Sequence, residues 1–362
     1  MSVVAATAFG VYIHIPFCKR RCDYCAFATW TDRHHLAEAY AEALITDVRR
    51  SYERDPLPPA TSVFVGGGTP TQIPAALLTR VLRSVPMYPD AEVTVECNPD
   101  DVTADLLAEY VDGGVNRVSL GVQSMVPSVL ATLGRWHDPA AVRRSVELIC
   151  GAGLSTFNID LIYGAVGETD EHWSQTLTVV AELDPPHVSA YALTVEPGTP
   201  LADDPARFPD DDVLADRYIM ADDSLVRRGL DNYEISNWAR PGHECHHNDL
   251  YWSQGNYLGV GSAAHSHRNG RRFWRVRTPE RYIQRVNADE STEAAGETLD
   301  APTRRFEALE LTLRTRAGVP AEALDATGLE DFVVPVGDRL VLTRKGRLMA
   351  SEIALRLNVD AC

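Results

Sequence analysis

The chain has 362 residues, 45% hydrophobic and 23% charged, which is the composition of a globular protein rather than a disordered one. Thirty-four Lys and Arg against 51 Asp and Glu give a formal charge of −17, which argues against a nucleic-acid backbone or a polybasic membrane contact as the main partner. The seven cysteines (Cys18, Cys22, Cys25, Cys97, Cys150, Cys245 and Cys362) are odd in number, with three of them clustered. That is not the pattern of a secreted disulfide framework, and it points to a reducing, cytoplasmic compartment.

Residues 1–18 carry no charged side chain, but they also lack a basic leader, and His14 and Pro16 break the apolar run. Neither a targeting segment nor a membrane span is expected there. From residue 10 to about 191, short β-like runs alternate with helical patterns. The strands are predicted at 10–15, 61–65, 91–96, 116–122, 155–160 and 187–191. The first helix is marked by Leu36, Tyr40, Leu44 and Val48, and the second by Leu77, Leu78, Val81, Leu82 and Val85. Thr103 is a predicted N-cap for a third helix that ends at Gly113-Gly114; Asp138-Pro139 and Thr169 open two more.

Such alternation implies a parallel sheet with right-handed crossovers, either a partial (β/α) barrel or a doubly wound sheet. The strand faces separate the two. Ile13 and Ile15 oppose Tyr12 and His14; Val118, Leu120 and Val122 oppose Ser119, Gly121 and Gln123; Phe157 and Ile159 oppose Asn158 and Asp160. A doubly wound sheet buries both faces and reads as continuous apolar runs. One polar face instead predicts an open, partial (β/α)6 barrel of class α/β, with helices outside and a cavity inside. A helix over about 210–229 and short strands near Tyr233–Ile235 and Phe273–Val276 follow. The organisation expected is a barrel over 1–235, a connecting segment over 236–300, and a small helical, winged-helix-like domain over 301–362. With nine basic and nine acidic residues, that last domain is not a DNA reader.

Cys18, Cys22 and Cys25 form C-x3-C-x2-C directly after the first strand. Three thiolates on so short a loop can hold three corners of a [4Fe-4S] cluster and leave one iron open to a small-molecule chelator. Lys19, Arg20 and Arg21 lie inside the motif, where cations favour thiolates. A zinc site is the alternative, although structural zinc takes four ligands. Glu96, Gln123 and Asp160 recur at the carboxyl ends of strands, where (β/α) barrels place their sites. Gly67 and Gly68 permit close backbone approach there.

The strand, the cysteine motif with Tyr24 before its third cysteine, and Gly66-Gly67-Gly68-Thr69-Pro70 after the second strand resemble the radical S-adenosylmethionine (SAM) superfamily. More closely, the chain resembles the branch holding oxygen-independent coproporphyrinogen III dehydrogenases and haem chaperones. The resemblance implies a [4Fe-4S] cluster on Cys18, Cys22 and Cys25, whose open iron is chelated by SAM. It places Tyr12, Tyr24, Gly67, Gly68, Thr69, Glu96, Gln123, Arg135 and Asp160 where the family contacts SAM. Glu96 and Asp160 would suit its amino group and ribose hydroxyls, and Arg135 its carboxylate. In catalytic members an electron from the cluster cleaves SAM to methionine and a 5′-deoxyadenosyl radical.

The dehydrogenases add a further cysteine two positions after the third, where this chain has Phe27. The segment His247-Asn248-Asp249-Leu250-Tyr251-Trp252 matches the HNxxYW motif of the haem chaperones. Five of the eleven histidines (His243, His246, His247, His265 and His267) fall within 25 residues, with Cys245 among them. Imidazole and thiolate both ligate haem iron, and Tyr251 and Trp252 offer flat apolar faces. The bland alternative is a polar surface loop. His247, Asn248, Tyr251 and Trp252 are therefore the expected haem contacts, with Arg268, Arg271 and Arg272 available to the propionates. The implied function is a haem chaperone with three partners: haem, a haem-acceptor protein and an electron donor. The alternative is a radical SAM enzyme acting on a porphyrin.

Overall fold

The computed structural model describes residues 8–359. Six parallel strands form the frame: β1 (Phe9–Ile15), β2 (Ala60–Gly67), β3 (Met87–Cys97), β4 (Arg117–Gln123), β5 (Thr156–Tyr163) and β6 (His187–Ala192). Their outer covering is α1 (Ala37–Arg54), α2 (Ala75–Arg83), α3 (Ala104–Asp112), α4 (Pro127–Thr132), α5 (Pro139–Gly151) and α6 (Asp170–Leu183), followed by α7 (Asp211–Val226). Local sequence explains the helix starts. Thr103 accepts from the Leu106 amide, Asp138 from the Ala140 amide, and Thr169 joins His172 in a reciprocal cap.

The expected division of strand faces is present. Val11, Ile13, Ile15, Val63, Val65, Val93, Val95, Val118, Leu120 and Val122 are buried in one apolar core. The opposite face carries Tyr12 and His14, Phe64, Glu92 and Glu96, Arg117 and Ser119, Asn158 and Asp160. The outer face makes the fold by apolar burial; the inner one is left to chemistry.

The sheet runs across the division expected at 235/236. β7 (Asp231–Glu234) and β8 (Asn237–Ala239) pair onto β6, across the point where a separate segment was expected to begin. The short α8 (His246–Trp252) follows, and β9 (Asn256–Val260) then adds in parallel to the free side of β1. β10 (His265–Arg268), β11 (Arg271–Arg275) and, after α9 (Pro279–Asn287), β12 (Glu293–Thr298) extend that side antiparallel. The result is one twelve-stranded sheet, ordered β12-β11-β10-β9-β1-β2-β3-β4-β5-β6-β8-β7. Residues 236–300 are short of helix-length periodicity because they alternate short strands of the barrel's own sheet with two short helices.

α10 (Ala301–Leu313), α11 (Arg344–Leu348) and α12 (Ala350–Ala354) pack with β13 (Val319–Pro320), β14 (Val333–Val336) and β15 (Arg339–Leu342) around a second core that includes Leu313, Val319, Ala323 and Ile353. Among the described residues no helix is long and apolar enough to cross a membrane.

Candidate functional site

The cysteine loop leaves the carboxyl end of β1 and is tied to its neighbours through the backbone. The Cys18 amide donates to Trp30 O at 3.0 Å, and the Gly68 amide to Ile15 O at 2.7 Å. Burial pushes the Cys18 thiol up to about 11 and also raises Cys25. Of the three cations expected to help (Lys19, Arg20 and Arg21), Arg21 lowers Cys25, but burial outweighs it. Arg20 stacks over the Trp136 ring at 4.7 Å, and Arg21 donates to Cys25 O rather than to sulfur.

The cation beside a thiol is Arg135. Its Nη1 lies 3.7 Å from Cys22 Sγ, while Nη2 donates to Asn98 Oδ1 at 2.9 Å and to Gly121 O at 2.6 Å. Asn98 Nδ2 donates to Thr69 Oγ1 at 3.3 Å, and Thr69 donates to Cys18 Sγ at 3.7 Å. Two cysteines are thus joined through Arg135, Asn98 and Thr69. Asn98 escaped sequence reasoning; its signal was its place two residues beyond Glu96, at the mouth of β3. The donor set suits the cluster. Among the described residues no three His, Cys, Asp or Glu side chains converge on one ion-sized point, as a zinc ion needs. Cys18, Cys22 and Cys25 would hold a cluster there, and the sulfur-directed donors Arg135 and Thr69 would tune it.

Of the strand-end residues, Glu96 and Asp160 are close enough to act on one another. Burial, reinforced by Asp160, pushes Glu96 up to about 8, and its carboxylate accepts the Gly67 amide at 3.3 Å. Asp160 is raised by burial although Ser119 Oγ, at 2.8 Å, and Asn158 Nδ2, at 2.7 Å, donate to it. Gln123 closes β4 at φ 63°, where the ladder to β5 shifts register. A non-glycine residue in that region marks a strained, re-aimed side chain. Tyr12 meets His14 Nδ1 at 3.1 Å, and Tyr24 packs on the cluster of Val126, Val129, Leu133, Ile162 and Leu193. Gly67 and Gly68 answer first to protein packing. A Cβ on Gly67 would lie 2.3 Å from His14 Nδ1, and one on Gly68 would lie 2.7 Å from Phe17 O.

The segment from Cys245 to Trp252 is neither a surface loop nor an open ligand. As α8 it plugs the amino-terminal end of the barrel. The Glu92 carboxylate accepts the amides of His246 and His247, both at 3.2 Å, and Cys245 Sγ donates to it at 3.5 Å. His247 is fully buried, with Nδ1 2.9 Å from Ser62 Oγ and Nε2 2.9 Å from the Tyr251 hydroxyl. Burial lowers it to about 3, so it is neutral. Both ring nitrogens are engaged, which removes His247 from the set of open iron ligands.

Of the four expected haem residues, Tyr251 lines a cavity. This cavity, about 630 Å3, opens beside the cysteine loop. It is walled by Ala26–Ala28, by Leu250 and Tyr251 of α8, by β10 and β11, and by Glu307 and Leu311 of α10. Arg268 and Arg271 are outside it, paired with Asp55 and Glu293. Arg272 lines it but is held by Glu297 and Glu307.

The family model "Radical SAM superfamily" matches residues 12–180. The heme chaperone HemW of Mycobacterium tuberculosis (strain H37Rv) is 39% identical over 371 residues, covering 96% of this chain and 94% of the relative. HemW of Escherichia coli (strain K12) is 35% identical, covering 94% and 92%. The chain belongs to the HemW family. Within the radical SAM superfamily its architecture is shared with coproporphyrinogen III oxidase (HemN) from Escherichia coli. That structure matches with a TM-score of 0.83 over 97% of this chain and 90% of its own, at 24% identity. As a HemW-family member, the chain carries its HNxxYW segment as a barrel plug, with Tyr251 at the cavity and His247 behind it.

Proposed function

We propose that this chain is a haem chaperone that carries a SAM-ligated [4Fe-4S] cluster, binds haem and hands it to an acceptor protein, with an electron donor serving the cluster in the cytoplasm. The observation that carries this reading is the cavity beside the cysteine loop. Its volume falls within the roughly 300–1,000 Å3 usual for cofactor pockets, and its lining mixes aromatic and aliphatic surface with histidines and arginines. Phe27, 63% exposed, stands there as an apolar side chain where the dehydrogenases of the branch bear a further cysteine. End-to-end similarity to HemW relatives supports the same reading.

In this reading Cys18, Cys22 and Cys25 hold the cluster, and the mouths of β1–β5 hold SAM, with Glu96 and Asp160 available to its cationic and hydroxyl groups. The cluster, when bound, supplies one-electron chemistry. The chain's own residues orient and desolvate: Arg135 and Thr69 direct N–H and O–H groups at the sulfurs, and Glu96 is kept protonated until it meets a cation.

The test is haem titration of the reconstituted protein, run beside product analysis with coproporphyrinogen III and SAM. Stoichiometric haem binding, transfer to an apo-acceptor and no decarboxylated product are expected. Vinyl formation with 5′-deoxyadenosine release, and no haem binding, would assign the porphyrin-modifying activity instead.

A further inference from the structure

Resting on the haem-chaperone reading, we propose that His265 supplies the axial ligand to the iron of a haem seated in the cavity beside the cysteine loop, with Arg277 meeting a propionate.

Three histidines line that cavity, and their hydrogen bonds sort them. His14 uses both ring nitrogens, toward Tyr12 and toward Ala28 O at 2.9 Å. His267 is buried; its Nδ1 lies 2.9 Å from Gly255 O, and its Nε2 is sealed from solvent without a partner. His265 is exposed to the cavity, and no hydrogen bond engages its ring among the described residues. It stands on β10 directly opposite Trp274 of β11, and the two rings stack with centroids 5.6 Å apart and 24° between planes. That stacking covers one face of the imidazole of a residue that lines the cavity. Burial lowers its proton affinity, so the neutral form that binds iron prevails at neutral pH.

The charges agree. A haem brings two carboxylates into a chain of net charge −17, so a local cation has to meet them. Arg272 already has two carboxylate partners at the cavity. Arg277 lines the same cavity, is exposed, and has no ion pair among the described residues. The apolar wall completes the fit: Phe27, Tyr251, Tyr257 and Leu311 offer ring and aliphatic surface to the macrocycle. The placement also holds the cargo between the barrel edge and α10 of the C-terminal domain, within reach of a protein docked there.

The experiment is haem titration followed by the Soret band in wild type, His265→Ala, His265→Gln, His267→Gln and His247→Gln. Cluster absorbance and circular dichroism serve as folding controls. Both His265 variants should bind haem about tenfold or more weakly with a shifted Soret band, and added imidazole should restore the wild-type spectrum in His265→Ala. Arg277→Glu should weaken haem about threefold while leaving haem dimethyl ester unaffected. A wild-type Soret band in both His265 variants overturns the assignment, as does loss of the band only in His267→Gln or His247→Gln, and haem binding itself then still stands. Failure of the wild type to bind haem would sink the chaperone reading instead.

Discussion

Arg135 points one guanidinium nitrogen at the sulfur of Cys22, 3.7 Å away, and uses the other on Gly121 O and Asn98, at the ends of β4 and β3. One planar side chain therefore registers the cysteine loop against two barrel strands. Lysine offers no such fork. Arg135→Lys and Asn98→Ala should each fold yet hold less iron per chain and lose the cluster faster in air. Cys22→Ala should hold no intact cluster. Iron and sulfide analysis, with electron paramagnetic resonance of the reduced protein, reads the difference; unchanged iron content in Arg135→Lys would remove the registering role.

Gly67 sits at φ 106°, against the His14 ring. Gly67→Ala adds a methyl where 2.3 Å is available and also strains the backbone. A stability loss of about 2–4 kcal/mol is expected, together with loss of SAM-induced thermal stabilisation. Gly229→Ala, also at positive φ but with nothing near its Cβ, is the control and should lose only backbone strain, about 1 kcal/mol.

Among the described residues four buried histidines are held neutral, each lowered chiefly by burial: His14 to about 4, His137 to about 4, His247 to about 3, and His187 well below its ordinary value. Below the ordinary histidine value near 6.5 the unfolded chain takes up these protons and the folded chain does not, so stability falls as pH drops from 6.5 toward 4. Each group contributes up to about 1.4 kcal/mol per pH unit. Denaturant unfolding at pH 7 and pH 5 should show the loss, and His247→Gln should flatten the slope while lowering stability at pH 7. An equal slope in the variant would contradict this account of His247.

Glu96 carries the opposite sign. Its folded value, about 8, lies above the unfolded 4.5, so the folded state holds a proton that the unfolded chain gives up, and its burial destabilises increasingly from pH 4.5 to 8. Glu96→Gln should raise the melting temperature of the SAM-free protein by a few degrees at pH 8 and leave it unchanged at pH 4. The same variant should lose the stabilisation that SAM confers. A variant less stable than wild type at pH 8 would mean that the carboxylate is stabilised by a partner rather than stranded.

The parallel strands and their two faces were legible because period-2 alternation states directly which side meets helices. The cysteine loop and the strand-end acids could be read for the same reason, since each follows a strand at fixed offset. The plug could not. His247 and Tyr251 are one helical turn apart, which signals a shared face, but a seven-residue helix has too little periodicity to say that this face enters a barrel. Arg272 was singled out in the sequence and Arg277 was not, because only the fold brings Glu297, on the neighbouring β12, and Glu307, on α10, onto the first.

β9 lies beside β1, although roughly 250 residues separate their paired positions. While the chain is being made, the strand that leads into the cysteine loop emerges early and then waits with one edge bare until almost the whole sheet has been synthesised. Such an edge invites wrong pairing during the delay. The cysteine loop is therefore complete in the growing chain long before the wall bearing His265 is synthesised.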